Sequence, residues 1–134
     1  MNRTQKLATF YLVIMGILYA AFGLWCMANP LMLSYEFGYT LTLPQGFNEF
    51  RASYGGQFIM VGVFLYIGGN RLEWQRPALL LLALQLAGFA FARLFSMILD
   101  GMPGGLHLVA FCADTFCSLI AFVLLVQLGK NLEA

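Results

Sequence analysis

Two side chains stand where a hydrophobic chain can least tolerate them. Arg93 and Asp114 each interrupt a long apolar run. Inside a bilayer an ionisable residue costs about 2.5–3.5 kcal/mol even on lenient insertion scales, so such residues turn toward a bundle interior and pair. At 1.5 Å per helical residue, Arg93 lies ~9 Å inside its run, counted from Leu99. Counted from His107, Asp114 lies ~10.5 Å inside the next run. Antiparallel neighbours joined by a short turn would hold the two at one depth. The spacing predicts an Arg93–Asp114 ion pair.

More polar groups fall beside them at helical spacing. His107, Ala110, Asp114, Ser118 and Ala121 share one face of the last span. Gln85, Arg93, Ser96 and Asp100 lie on the span before it, with Gly88 and Ala92 alongside. A third stretch opens with Glu49, Arg51, Ser53, Tyr54, Gly55, Gly56 and Gln57. Together these predict a polar chamber where three helices converge, built from Glu49, Arg51, Tyr54, Gln57, Arg93, Ser96, Asp100, His107 and Asp114. The opposite half of the spans is nearly all apolar. Such a division suits an amphipathic ligand: a lipid, fatty acid, sterol-like molecule or quinone, head among the charges and tail in the apolar half. A purely structural reading competes with it. Arg93 and Asp114 would then fix the helix arrangement, while Gly16, Ala20, Gly23, Gly55 and Gly56 allow close packing. Glu49 and Arg51 are two residues apart and point to different helix faces, and an arginine at a membrane edge can snorkel.

Other chemistries are poorly served. His107 is the only histidine. The carboxylates lack the Glu-x-x-His spacing of di-iron bundles, and Arg93 would repel a cation, so no metal or other cofactor is expected. Ser96, His107 and Asp100 make a Ser–His–Asp set on paper only, with no strained nucleophile to mark it. Glu49, Asp114 and His107 could pass a proton, but the apolar half offers no onward relay. Transport also lacks support, since so short a chain has no inverted repeats.

The elements that must position these residues are spanning helices. Of the 134 residues, 61% are hydrophobic and 10% charged, whereas soluble domains carry about 25% charged residues. A net charge of +1 leaves no basic face for nucleic acid. Cys26, Cys112 and Cys117 form no C-x-x-C pair and read as buried, reduced thiols. Four runs reach the length a bilayer demands: 7–28, 52–69, 77–99 and 106–128. Continuous rather than alternating hydrophobicity makes them helices. The first exceeds the usual signal-peptide core of about 7–15 residues and reads as a retained span. Pro77 is expected in the first turn of span three, 70–76 as a polar link, and 101–105 as a tight turn. Segment 29–47 is apolar and aromatic, and reads as an interfacial helix or folded lid. Arg3, Lys6, Arg71, Arg76 and Lys130 share one side, which predicts cytoplasmic termini. The expected fold is an all-α, polytopic four-helix membrane bundle forming one domain over residues 1–134.

Asn48-Glu49-Phe50-Arg51-Ala52-Ser53-Tyr54-Gly55-Gly56, with Ala92-Arg93-Leu94-Phe95-Ser96 leading to Asp100-Gly101-Met102-Pro103, resembles a family of small bacterial four-helix membrane proteins. That family is known only as a domain of unknown function, with distant relatives in the DoxX-like group. The resemblance runs from Asn29-Pro30 to the end of span four. It implies the fold and a multi-pass place in the bacterial cytoplasmic membrane, but no reaction. In the family pattern, span four carries glutamate where this chain has Asp114, so the charge is kept on a shorter side chain. The expected role is a non-enzymatic accessory or binding protein in contact with lipid: a bound lipid or quinone, a larger membrane complex or a homo-oligomer are the partners it suits. An enzyme or redox helper acting on an amphipathic substrate, with Glu49 or Asp114 handling protons, is the alternative. A subunit that only stabilises a larger complex is the third.

Overall fold

A computed structural model describes residues 1–133, with side chains through Lys130. Among the described residues the chain is all-helical, with five helices and no strand. Helix α1 spans Arg3–Ala28, α2 Pro30–Glu36, α3 Pro44–Asn70, α4 Leu72–Asp100 and α5 Gly105–Glu133. Four of them (all but α2) are long and apolar enough to cross a membrane. They run antiparallel in chain order. One end of the bundle therefore holds the chain's beginning and the α3–α4 junction, here termed the terminal side. The other, the loop side, holds residues 29–43 and 101–104.

Local chemistry sets the helix ends. Asn2 caps α1 reciprocally with Gln5: the Gln5 amide donates to Asn2 Oδ1 and the Asn2 amide to Gln5 Oε1, both at 2.8 Å. Each bond satisfies an amide that a bare helix start would leave orphaned. Pro30 and Pro44 sit in the first turns of α2 and α3, where proline sacrifices no helical bond. Gly101 ends α4 at φ +95°, a conformation that disfavours any residue with a Cβ.

The boundaries differ from the sequence expectation in three places. The polar link 70–76 is reduced to Arg71 alone, because α4 already begins at Leu72. Pro77 consequently lies in the second turn of α4 rather than the first. It forgoes a bond to the Glu73 carbonyl, at a surface where Glu73, Arg76 and Pro77 are all exposed and water can substitute. Span two starts earlier than residue 52, because α3 continues unbroken back to Pro44 through a π-helical turn at Arg51–Gly56.

Helices α1 and α3 pack closely along their length, as do α4 and α5. The first pair meets through small residues. A Cβ on Gly16 would stand 2.8 Å from the Gly62 carbonyl oxygen, and one on Gly62 would stand 2.6 Å from the Ala20 amide nitrogen. Backbones approach this closely only where side chains are missing. The main core joins α1, α3, α4 and α5 around Leu12, Leu65, Leu79, Leu82, Ala121 and Leu124.

That core occupies one half of the bundle. No residue of α4 after Leu86 is buried, and none of α5 before Ala121. The loop-side halves of these two helices are packed on each other but not enclosed by the rest. A smaller cluster caps the loop side of α1 and α3, where Leu33 of α2 meets Cys26 and Phe50, flanked by Phe22, Phe37, Leu41 and Tyr54. The expected interfacial segment 29–47 thus resolves into the short helix α2, a non-helical return over 37–43 and the first turn of α3 from Pro44. All three cysteines are free, but Cys112 is exposed and Cys117 half-buried, so only Cys26 fits the expectation of a buried thiol.

The terminal-side half is less uniformly apolar than the sequence suggests. Gln75 is fully buried there. Its Nε2 donates to Thr9 Oγ1 at 2.8 Å and to the Gln5 carbonyl at 3.2 Å. Tyr11 donates its hydroxyl to the Cys117 carbonyl at 2.6 Å.

Candidate functional site

Asp114 and Arg93 face each other across the α4–α5 pair. Arg93 Nε donates to Asp114 Oδ2 at 3.1 Å. This is the ion pair that matching depth predicts, and it is the sole one among the described residues. The pair is not sealed: the Arg93 side chain is 34% exposed and that of Asp114 17%. His107, one α5 turn above Ala110, brings Nδ1 to 3.4 Å from Arg93 Nη1. That separation is long for a hydrogen bond. The guanidinium is therefore oriented by Asp114 through Nε, with its outer nitrogens largely uncommitted.

A hollow of about 200 Å³ opens at this guanidinium, lined by Arg93, Ser96, Met97, Gly101, Pro103 and His107. Ser96 stands at the rim and donates to Asp100 Oδ2 at 2.8 Å, both residues exposed. Deeper in the same face, Ser118 of α5 donates to the Ala83 carbonyl of α4 at 2.9 Å. The periodic face His107, Ala110, Asp114, Ser118, Ala121 is indeed the packed side of α5, since none of the five is exposed.

The predicted three-helix chamber is not one space. Glu49 is exposed and accepts from Ser53 Oγ at 3.0 Å. Gln57 is exposed and lines neither hollow. Tyr54, half-buried, shares a hydrogen bond of 3.0 Å with the Tyr39 hydroxyl. Arg51 donates through Nε to the Met27 carbonyl at 3.3 Å and lines a separate, larger hollow of about 810 Å³. The physical reason is the π turn. Its wider backbone loop rotates Arg51 toward the end of α1 instead of toward α4, and Gly55 faces Met27, whose side chain occupies the space a Cβ would need.

Two polar side chains reach the place where the core gives way to the open half. Tyr19 is 7% exposed, and its hydroxyl is buried without a partner, as are both amide atoms of Gln85. Tyr19 is held by rings: it stacks on Phe58 at 5.2 Å, and Phe58 stacks on Phe89 at 6.0 Å. Gln85 was visible in sequence as a polar residue on the Arg93 helix; Tyr19 carried no such signal among the aromatics of α1. Among the described residues no three His, Cys, Asp or Glu side chains gather as a metal-ligand group.

Searches of curated proteins and of solved structures return no match. A family match extends over residues 7–125, which takes in most of each long helix and the lining of both hollows. The chain belongs to the DUF4345 family, a domain of unknown function.

Proposed function

We propose that this protein is a small multi-pass membrane protein that binds an amphipathic molecule, holding the polar head at Arg93, Asp114 and His107. The carrying observation is the half-open ion pair, placed in the half of α4 and α5 that lacks any buried residue. A pair serving only to lock two helices together repays its desolvation only when its remaining donors and acceptors are also hydrogen-bonded. Here Arg93 is oriented by Asp114 yet still presents donors to the adjoining hollow. A carbonyl, carboxylate or phosphate-type head would accept from those donors. Met97 and Pro103 line the same hollow and offer apolar surface for the start of a tail.

The unpartnered Tyr19 hydroxyl and Gln85 amide support the same reading. A buried polar group left without a partner costs about 1–3 kcal/mol. Neither residue lines a hollow, so a ligand oxygen would offset that cost only by entering between the helices at the end of the core. Lys and Arg placement and the family resemblance favour a bacterial cytoplasmic membrane with both termini cytoplasmic, which puts the site in the outer leaflet. Nothing in the cluster assigns a reaction, so binding is preferred over catalysis, and membership of a family of unknown function adds no activity. A second reading rests on α5, whose Phe116, Leu119, Phe122 and Val123 are exposed: this face also suits a larger membrane complex.

Mass spectrometry of the gently extracted protein tests the proposal. A stoichiometric amphipathic molecule is expected in the native protein and lost in a folded Arg93→Gln variant. A folded variant that retains the molecule, or a native protein that carries none, sinks the proposal. A co-purifying larger protein would favour the complex.

A further inference from the structure

The hollow beside Arg51 has no part in the site above. It measures about 810 Å³ and is lined by Met27, Thr42, Pro44, Phe47, Asn48, Arg51, Ala52 and Gly56, within the size range of small-molecule sites. We propose that it seats the phosphate headgroup of an anionic phospholipid from the surrounding bilayer, with Arg51 as the phosphate ligand. The proposal rests on the membrane-spanning reading but not on a ligand at Arg93.

Four observations converge. Arg51 lies beside Met27, the penultimate residue of α1, so it stands at the end of a spanning helix, the depth of lipid headgroups. The exposed side chain is oriented at two points: Nε donates to the Met27 carbonyl at 3.3 Å, and the guanidinium carbon sits 5.8 Å from the centre of the Phe47 ring. Those contacts leave the two outer nitrogens, the pair that grips a phosphate bidentately. No carboxylate within ion-pair reach competes among the described residues, since Glu49 faces Ser53 instead. Finally, the lining is divided as a phospholipid's upper portion is divided. Thr42 and Asn48 supply neutral polar groups near the charge, and Met27, Pro44, Phe47 and Ala52 supply apolar wall. The π turn at Arg51–Gly56 creates this aspect of the helix, and such turns recur at functional positions.

The test uses the full chain in nanodiscs, with lipid occupancy read by native mass spectrometry. Phosphatidylglycerol and phosphatidylcholine both carry the phosphodiester, but phosphatidylcholine also brings a quaternary ammonium to a hollow whose one charged lining residue is Arg51. Phosphatidylglycerol should therefore be retained about tenfold better. Arg51→Gln should erase that preference, and Arg51→Lys should keep only part of it. Should Arg51→Gln fail to fold, Gly56→Phe replaces it: the nearest atom to a Cβ there is the Arg51 carbonyl oxygen at 3.9 Å, so the ring would fill the hollow while leaving the charge. Arg93→Gln serves as the control and should not alter the preference. Equal retention of the two lipids by the native protein overturns the proposal, as does an undiminished preference in folded Arg51→Gln or Gly56→Phe. Complete displacement of the lipid by millimolar inorganic phosphate also overturns it, by showing a site for a free ion.

Discussion

Gly23 of α1 and Gly55 of α3 are in backbone contact: a Cβ on Gly23 would lie 2.6 Å from the Gly55 carbonyl oxygen. Nothing at that position can give way, because the obstacle is main chain. Gly23→Leu should therefore force α1 and α3 apart, at a cost of about 3 kcal/mol or more, and be read as a lowered thermal midpoint in detergent. Gly88→Ala is the counterpart. No atom lies within 4 Å of a Cβ there, so the same kind of substitution should leave the fold intact and raise stability by about 0.5–1 kcal/mol. Equal effects at the two sites would contradict the close-packing account.

Removing one member of the Arg93–Asp114 pair leaves the other charge without its partner. The partial exposure of both side chains softens that penalty to about 1–3 kcal/mol. Arg93→Gln and Asp114→Asn should each destabilise, and the double variant should be less destabilised than the sum of the two. A double-mutant cycle on thermal unfolding measures this coupling. Strict additivity would mean that the pair does not interact in the folded protein.

Gln85→Leu should separate stability from binding. Deleting an amide that is buried without a partner should stabilise the ligand-free protein by about 1 kcal/mol. On the proposed function, the same change should also lower retention of an amphipathic ligand. Loss of stability together with unchanged retention would remove Gln85 from the proposed site.

Gln75 offers the opposite case, a buried amide that is paired. Gln75→Leu should cost about 1–2 kcal/mol, since the Gln5 carbonyl and Thr9 hydroxyl both lose a donor. Combining it with Thr9→Val should recover part of the loss. Unfolding midpoints of the three variants decide it.

Membrane orientation can be read by thiol labelling in a chain without Cys26, Cys112 and Cys117. With an impermeant reagent on intact cells, Thr40→Cys should label and Arg71→Cys should not. The reverse pattern would invert the topology and put the Arg93 site in the inner leaflet.

What the sequence makes legible follows from how far each force reaches. Membrane-spanning length is a sum over some twenty residues, so single irregularities do not obscure it. The Arg93–Asp114 pair was legible because charge inside an apolar run has few solutions, and a short turn fixes the relative depth of two helices. Pro77 misled because proline marks a helix start only on average, and α4 begins earlier with Leu72. Gln75 gave no sign of burial, lying in a stretch with Glu73 and Arg76 that reads as a solvated link. The π turn was beyond local pattern altogether. It arises where Gly55 meets Met27, a contact between residues twenty-eight positions apart, and by turning Arg51 away it divided one expected chamber into two hollows.

The one-sided core has a mechanical consequence. Leu79, Leu82 and Leu124 clamp the terminal half, while the loop-side part of the α4–α5 pair touches α3 through Phe89 on Phe58 and holds no buried residue. The molecule is therefore built like a clothes peg, with the α1–α3 pair as one jaw and the α4–α5 pair as the other. The gap between its jaws can widen or narrow without unpacking the spring. A guest of greater or lesser girth would be gripped by the same arginine, and selectivity would then lie in the head of the guest rather than the thickness of its tail.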